Sequence, residues 1–265
     1  VKWKPQNYDG STGGLTTLRE GLRKSMNLIS VRMVQQDIAP SEQVKRTAQR
    51  MGITTDIRAV DALALGTSEV FPLEIVSAYA AFANQGVYSK PFPITRVEDR
   101  YGNVIKEFYP ERKEVLSEET AYLMTSLMQT VMDRGTGGSA RWKYKFNRPA
   151  AGKTGTTQGW SDAWFVGFTP QIAAGCWFGV DDFRVPLGPG QDGSIAALPA
   201  WARFMKGAHD TLGFPIQKFD KPSGIHDVEI CSVTKKVPVS ACPVEKEIFK
   251  VGTESIQKCK VHRTR

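Results

Sequence analysis

Long hydrophobic runs are missing from this chain. None of its 265 residues belong to a stretch of roughly 18 consecutive apolar residues, the length a membrane-spanning helix needs. The nearest approach, Ala163 to Val180, is interrupted by Gly167, Pro170, Gln171 and Gly175. No charged-then-apolar leader opens the chain, so any membrane anchor or export signal is expected outside it. Histidine is scarce: His209, His226 and His262 make no pair at i, i+3 or i+4, and each reads as a surface residue. No CxxC pair occurs, and spacings of 11 and 17 between Cys231, Cys242 and Cys259 argue against zinc. No metal and no cofactor are therefore expected. There is no zinc-finger or RNA-recognition signature and no block of basic residues, so no nucleic-acid partner is expected either. Internal repeats are absent.

What is present is ordinary globular composition, 41% apolar and 23% charged. The length suits one large domain, or a domain with an appendage, and allows a substantial core. The 35 Lys and Arg exceed the 27 Asp and Glu by 8. That excess reads as a solvated basic surface or as attraction to anionic envelope polymers or lipid headgroups. Three of the four cysteines fall in the last 35 residues. This segment has little helical period and reads as a loop-rich tail stapled by one disulfide, which implies an oxidising compartment.

Apolar residues recur at helical spacing from Leu15 to Met33. Ser25-Met26-Asn27 interrupts them with residues that prefer caps and turns, so one long helix and two hinged helices are both open. Ser41 reads as an N-cap, with Gly52 after its helix. Pro72 opens a helix to about Gln85, stopped by Gly86. Ser117, with Glu118 and Glu119 behind it, opens another that ends at Gly135. Ile94 to Tyr109 reads as a short hairpin with Asn103 near its turn. After Gly138 the pattern changes to three strands, Arg148–Thr156, Asp162–Phe168 and Gln171–Val180, the last two forming an antiparallel hairpin. Their apolar runs fit a sheet covered on both faces. A Gly/Pro-rich loop, Leu187 to Gly193, leads to a final helix from about Ile195 to His209. The fold class is α+β: an antiparallel sheet flanked by helices, plus a helical subdomain. Residues 1–214 form the main unit and 215–265 a basic, Cys-containing appendage.

Two glycine-rich stretches fail as nucleotide loops. Gly135-Thr-Gly137 follows a helix instead of a strand, and Pro189 in Gly188-Pro-Gly190 removes a donor that a phosphate would need. The sharper signal is Lys153-Thr154-Gly155-Thr156-Thr157 at a strand end, with Ser25-Met26-Asn27 upstream on a helical hinge. In Ser/Lys acyl-transfer enzymes an S-x-N triplet and a K-T-G triplet flank a nucleophilic serine. With Asn7-Tyr8-Asp9-Gly10, Thr17-Leu18-Arg19-Glu20, Ala64-Leu65-Gly66-Thr67-Ser68-Glu69-Val70, Gly135-Thr136-Gly137 and Pro199-Ala200-Trp201, the chain from about Pro5 to about Gly207 resembles the penicillin-binding transpeptidase domain of bifunctional (class A) penicillin-binding proteins. The family's S-x-x-K nucleophile motif should precede Asn7. The two literal matches, Ser232-Val-Thr-Lys235 and Ser255-Ile-Gln-Lys258, lie in the tail in the wrong order. The nucleophile is therefore expected in an N-terminal part of the protein outside this chain.

The resemblance implies a peptidoglycan D,D-transpeptidase that acylates a serine with a D-Ala-D-Ala stem peptide and is the target of β-lactams. A D,D-carboxypeptidase or serine β-lactamase on the same fold, and a degenerate scaffold domain, are the alternatives. By resemblance Ser25, Asn27 and Lys153 are catalytic: Ser25 relays a proton to the leaving amine, Asn27 holds substrate backbone, and Lys153 supplies positive charge. Gly155, Thr156 and Thr157 bind substrate, Thr156 binding its terminal carboxylate. The Thr156 N–H is one oxyanion-hole donor, and the Thr154 side chain points out of the cleft. Trp160 and Trp164 read as core or cleft-wall aromatics. The family further implies an upstream glycosyltransferase domain and one membrane anchor, with this domain on the extracytoplasmic side. A Cys242–Cys259 disulfide is expected in the tail. The chain by itself, lacking nucleophile and base, is expected to be inert.

Overall fold

Leu15 to Met33 resolves into two helices, α1 (Leu18–Arg23) and α2 (Asn27–Gln35), broken at Ser25. Ser25 has a left-handed φ of 54°. Its N–H donates to Leu22 O (3.1 Å) and the Met26 N–H reaches back to Gly21 O (2.8 Å). This is the Schellman closure, which ordinarily recruits glycine. The computed structural model describes residues 3–12, 14–182 and 184–262.

Helix α3 (Ser41–Arg50) starts one residue earlier than its expected cap allows. Pro40 occupies the N-cap position, and the Ser41 side chain makes no capping bond. Helix α4 (Pro72–Ala83) has Pro72 in its first turn, where a missing N–H costs nothing. Helix α5 (Glu118–Arg134) is capped by the Ser117 hydroxyl, which accepts the Thr120 N–H at 3.3 Å. Met51, Ile53, Ile57, Ala78, Ala81 and Val115 form the core of the helical subdomain. Two short antiparallel pairs, β1 (Val87–Ser89) with β4 (Arg112–Glu114) and β2 (Arg96–Glu98) with β3 (Val104–Glu107), connect α4 to α5. The second pair is the expected hairpin. Gly135 follows α5 in extended backbone, and a side chain there would meet Arg23 O at 2.7 Å. A one-turn helix, α6 (Ser139–Trp142), follows.

Three antiparallel strands, β5 (Ala151–Thr156), β6 (Asp162–Phe168) and β7 (Ala173–Gly179), stand in that order. Lys153 pairs with Val166 and Gly155 with Trp164. Phe165 and Phe168, three residues apart on β6, serve opposite faces. Phe165 packs with Phe146, Leu198 and Trp201, the latter two from α7 (Leu198–Leu212). Phe168 packs with Met128 of α5 and with Tyr79 and Phe82 of α4. Helices thus cover both faces of β6. The cover thins on β7: Ala174 and Cys176 still pack on the Trp201 cluster, but Trp177 and Phe178 are 43% and 44% exposed. Strand β7 is the outermost of the three, with β6 its one hydrogen-bonded neighbour among the described residues. The molecule is α+β as expected.

The tail is more regular than its composition suggests. Strands β8 (Ile225–Cys231) and β9 (Val244–Lys250) form an antiparallel hairpin. Arg19 of α1 clamps it: its Nε and Nη2 donate to the Glu247 carboxylate, and its Nη1 to Ser126 O and Thr130 Oγ1 of α5. Burial alone would raise the Glu247 carboxyl, but Arg19 and the Ile248 amide hold it below the usual carboxylate value. Lys250 adds a second tie to Glu119 at 3.4 Å. His209 is fully buried, contrary to its expected surface position. Its Nδ1 donates to Met205 O (2.8 Å) and its Nε2 meets Thr169 Oγ1 (3.0 Å), so both ring nitrogens have partners inside α7's core face. His226 is half-buried, 3.5 Å from Glu254.

Candidate active site

The end of β5 and the α1–α2 hinge meet. Lys153 Nζ donates to Ser25 Oγ at 2.8 Å across 128 positions of sequence. It also donates to Thr154 O (2.8 Å) and Thr154 Oγ1 (3.3 Å), which uses all three ammonium hydrogens. Burial of this ammonium pushes its pKa down to about 8. Because Ser25 Oγ accepts from Lys153, its own hydrogen remains available to another acceptor. The left-handed backbone at Ser25 is the kind of outlier found where a side chain must be aimed.

Asn27 is the first residue of α2, and its Nδ2 donates to Gln6 O at 2.8 Å. Asn7 tightens the same corner: its Oδ1 accepts the Leu28 N–H (3.0 Å) and its Nδ2 donates to Ser11 O (2.8 Å). Residues 6–11 are thereby fastened to the hinge. The Asn27 Oδ1 remains for other donors.

Thr156 Oγ1 accepts the Gly193 N–H at 3.1 Å, which leaves its hydrogen to donate outward. Gly193 has room for nothing larger, since a Cβ would lie 2.2 Å from Trp164 O and 2.6 Å from Gly155 O. Strand β5 is an edge. The Thr157 N–H points inward to Asp162 O (3.1 Å), so by strand alternation the Thr156 N–H faces the free edge. Gly155 is needed for a second reason beside edge access: a Cβ there would press on Trp164 Cβ at 3.2 Å. Trp164 in turn stacks obliquely on Trp177, centroids 6.3 Å apart.

The Thr157 hydroxyl closes the β5–β6 turn: it meets Ser161 Oγ (2.7 Å), accepts the Asp162 N–H (2.8 Å) and lies 3.3 Å from Asp162 Oδ2. Thr154 does not simply leave the cleft, because its hydroxyl touches the Lys153 ammonium and also Thr136 Oγ1 at 2.8 Å. Sequence reading gave no site role to Gly193, which opens a short helical turn before α7, or to Thr136, noted only within Gly135-Thr136-Gly137. The first tail S-x-x-K match does not form a nucleophile pair: Lys235 is held by Glu245 at 2.6 Å, and Ser232 donates to Pro243 O.

A second cluster lies in the tail. Ligand-type atoms of Cys231, Cys242, Cys259 and His262 all fall within 4.8 Å of one another. All four cysteines of the chain are free. The expected Cys242–Cys259 disulfide is not formed, and His262 is half-buried. Three thiols and an imidazole converge on one point, which a two-sulfur bridge does not organise. The missed signal is Cys259-x-x-His262, an i, i+3 pair across residue types.

Residues 1–181 match the family described as penicillin binding protein transpeptidase domain, and residues 221–264 match penicillin-binding protein 1A, C-terminal domain. The chain is 36% identical to penicillin-binding protein 1A of Aquifex aeolicus over 95% of its length, covering 34% of that protein. It is 33% identical to penicillin-binding protein 2D of Bacillus subtilis, over 97% of this chain and 37% of that one. It thus spans about a third of the length of these curated relatives. Among solved structures, penicillin-binding protein 1A of Haemophilus influenzae superposes with TM-score 0.89 at 29% identity, over 97% of this chain and 43% of that chain. The PonA1 protein of Mycobacterium tuberculosis in complex with penicillin V superposes with TM-score 0.69 at 25% identity, over 82% of this chain and 62% of that chain.

Proposed function

Since the chain belongs to the penicillin-binding protein transpeptidase family, we propose that it supplies one side of a serine acyl-transfer site that crosslinks peptidoglycan stem peptides. The carrying observation is the Lys153–Ser25 contact at 2.8 Å, which joins the K-T-G and S-x-N triplets in one network.

The nucleophilic serine and its lysine base lie in an S-x-x-K segment N-terminal to this chain. The serine oxygen attacks the carbonyl between the two terminal D-Ala residues. D-Ala leaves as its amine takes a proton, and an acceptor amine from a second strand then displaces the serine. Lys153 and Ser25 act on the leaving group: Ser25, bonded to the ammonium, directs its free hydrogen to the departing nitrogen. Asn27 Oδ1 accepts from the peptide backbone. The Thr156 hydroxyl donates to the terminal carboxylate, and the Lys153 charge favours the anionic substrate. The outward Thr156 N–H is one of two donors to the oxyanion, the other belonging to the nucleophile's own residue. Losing such a donor costs roughly 2.7–4 kcal/mol, so residues 1–265 by themselves should be inert.

β-Lactams enter the same cleft and acylate the same serine. Residues 1–214 form the main unit and 215–265 a C-terminal appendage. A glycosyltransferase domain and a membrane anchor precede the chain, and the domain works on the extracytoplasmic face of the cytoplasmic membrane. Incubating the complete protein with a D-Ala-D-Ala pentapeptide and an amine acceptor tests the reaction class. The expected outcome is a crosslinked product with release of D-Ala. Hydrolysis alone would make the protein a carboxypeptidase, rapid penicillin turnover a β-lactamase, and no reaction a scaffold.

A further inference from the structure

We propose that Cys231, Cys242, Cys259 and His262 bind one structural zinc ion that pins the C-terminal tail. The geometry suits a tetrahedral site. The His262 Nδ1 lies 3.3 Å from Cys242 Sγ, 3.3 Å from Cys259 Sγ and 3.5 Å from Cys231 Sγ. With Zn–S about 2.3 Å and Zn–N about 2.0 Å, the S···N edge of a tetrahedron is about 3.5 Å. The three observed edges lie close to it. Three thiolates and one imidazole are soft or borderline donors, which select zinc over the oxygen-seeking calcium and magnesium. Four protein ligands close the coordination sphere and leave no position for water or substrate, so the site is structural.

The fold brings these four together deliberately. Cys231 ends β8, and Cys242 sits in the connection to β9. A parallel bridge between Val237 and Lys258 draws the last segment in, with the Cys259 N–H donating to Val237 O at 2.8 Å. The Val239 N–H points at Cys242 Sγ (3.2 Å), the backbone support a bound thiolate needs. The tail has little core of its own. Beyond Lys221 the buried apolar residues among the described ones are Ile225, Ile230, Cys231 and Cys259, and two of those are ligands. Small units of this kind are held by staples. A disulfide would join two of the sulfurs and strand the third beside His262. Binding the ion releases the three thiol protons to solvent and needs no oxidant.

The test uses the purified chain, loaded with zinc under reductant and then desalted. Metal analysis is expected to find one zinc per chain. X-ray absorption at the zinc edge is expected to show three sulfurs at about 2.3 Å and one nitrogen at about 2.0 Å. In native protein, alkylation should spare Cys231, Cys242 and Cys259 until a chelator is added, while Cys176 of β7 responds to no chelator. His262→Cys keeps four ligands and should keep the ion, whereas Cys259→Ser should lose at least tenfold in zinc affinity. Retention below about a tenth of an ion per chain would overturn the proposal, as would protection relieved by reductant but not by chelator. Undiminished binding by Cys259→Ser would do the same.

Discussion

The cleft and the tail cluster are both assemblies of polar side chains from distant positions, yet they are finished to different degrees. In the cleft, each group keeps something unused. Ser25 and Thr156 each accept one bond and keep a hydrogen, and Asn27 keeps its carbonyl oxygen. In the tail, the three sulfurs and the imidazole face one another and nothing else of their kind. Open valence is what a reacting site requires, and closed valence is what a staple requires. The two also differ in strain: the hinge places a serine in a glycine-type conformation, whereas the tail ligands sit at the end of a strand and in ordinary loops.

The largest effect expected is on the cleft. Lys153→Met in the complete protein should slow acylation by benzylpenicillin by about 10²–10³-fold, the scale of losing one preorganised electrostatic group. Stopped-flow or mass-resolved acylation rates check this. A change under about threefold would mean that Lys153 only packs. Next comes the clamp between the two regions. Glu247→Gln leaves the half-buried Arg19 guanidinium with weaker partners and should destabilise the chain by about 1–3 kcal/mol in a denaturant titration. Hydrogen exchange should localise the loss to β8–β9.

Much of this was open to sequence reading, and the reason is contiguity. Lys153 to Gly155 and Ser25 to Asn27 are short unbroken triplets, each on a recognisable strand end or helix break, and the family resemblance they carry pairs two segments that the fold places in contact. Helix boundaries set by Ser117, Pro72 and Gly135 were legible for the same reason. The tail ligands are spread over 32 positions, from 231 to 262, and only a β-hairpin plus a parallel bridge unites them. No local period announces that. His209 was misread because burial follows from tertiary packing of α7, and a helix with one histidine does not say which face is inside. Thr157 continues a motif, and its contacts to Ser161 and Asp162 follow from the turn after it, which no pattern announces.

A smaller effect isolates the strain. Ser25→Gly and Ser25→Ala both remove the hydroxyl and should slow acylation equally. Glycine relieves the left-handed backbone, so Ser25→Gly should be more stable than Ser25→Ala by about 1 kcal/mol. Equal stabilities in a thermal melt would remove strain from the description of the hinge. A pH trend gives a separate check on the same lysine. Lys153 loses its proton near pH 8 in the fold, below the ordinary lysine value of about 10.4 in the unfolded chain. The unfolded state therefore binds more protons between those values, and the Lys153 contribution to stability rises with pH across that window. Below about pH 8 the charge is present and penalised by burial. Lys153→Met should flatten this limb of a stability-versus-pH curve, and an unchanged limb would assign it to another group. In the complete protein the same deprotonation should lower the acylation rate as pH rises through about 8.

The most direct measurement is peptide mapping of the complete protein after benzylpenicillin treatment, with the 265-residue chain treated in parallel. One penicilloyl group is expected, on the serine of an S-x-x-K segment preceding Asn7, with the 265-residue chain unmodified. An adduct on Ser25, Ser232, Ser255 or any other residue of the chain, or a complete protein that takes up no penicillin, would contradict a half-site built around Lys153 and Ser25.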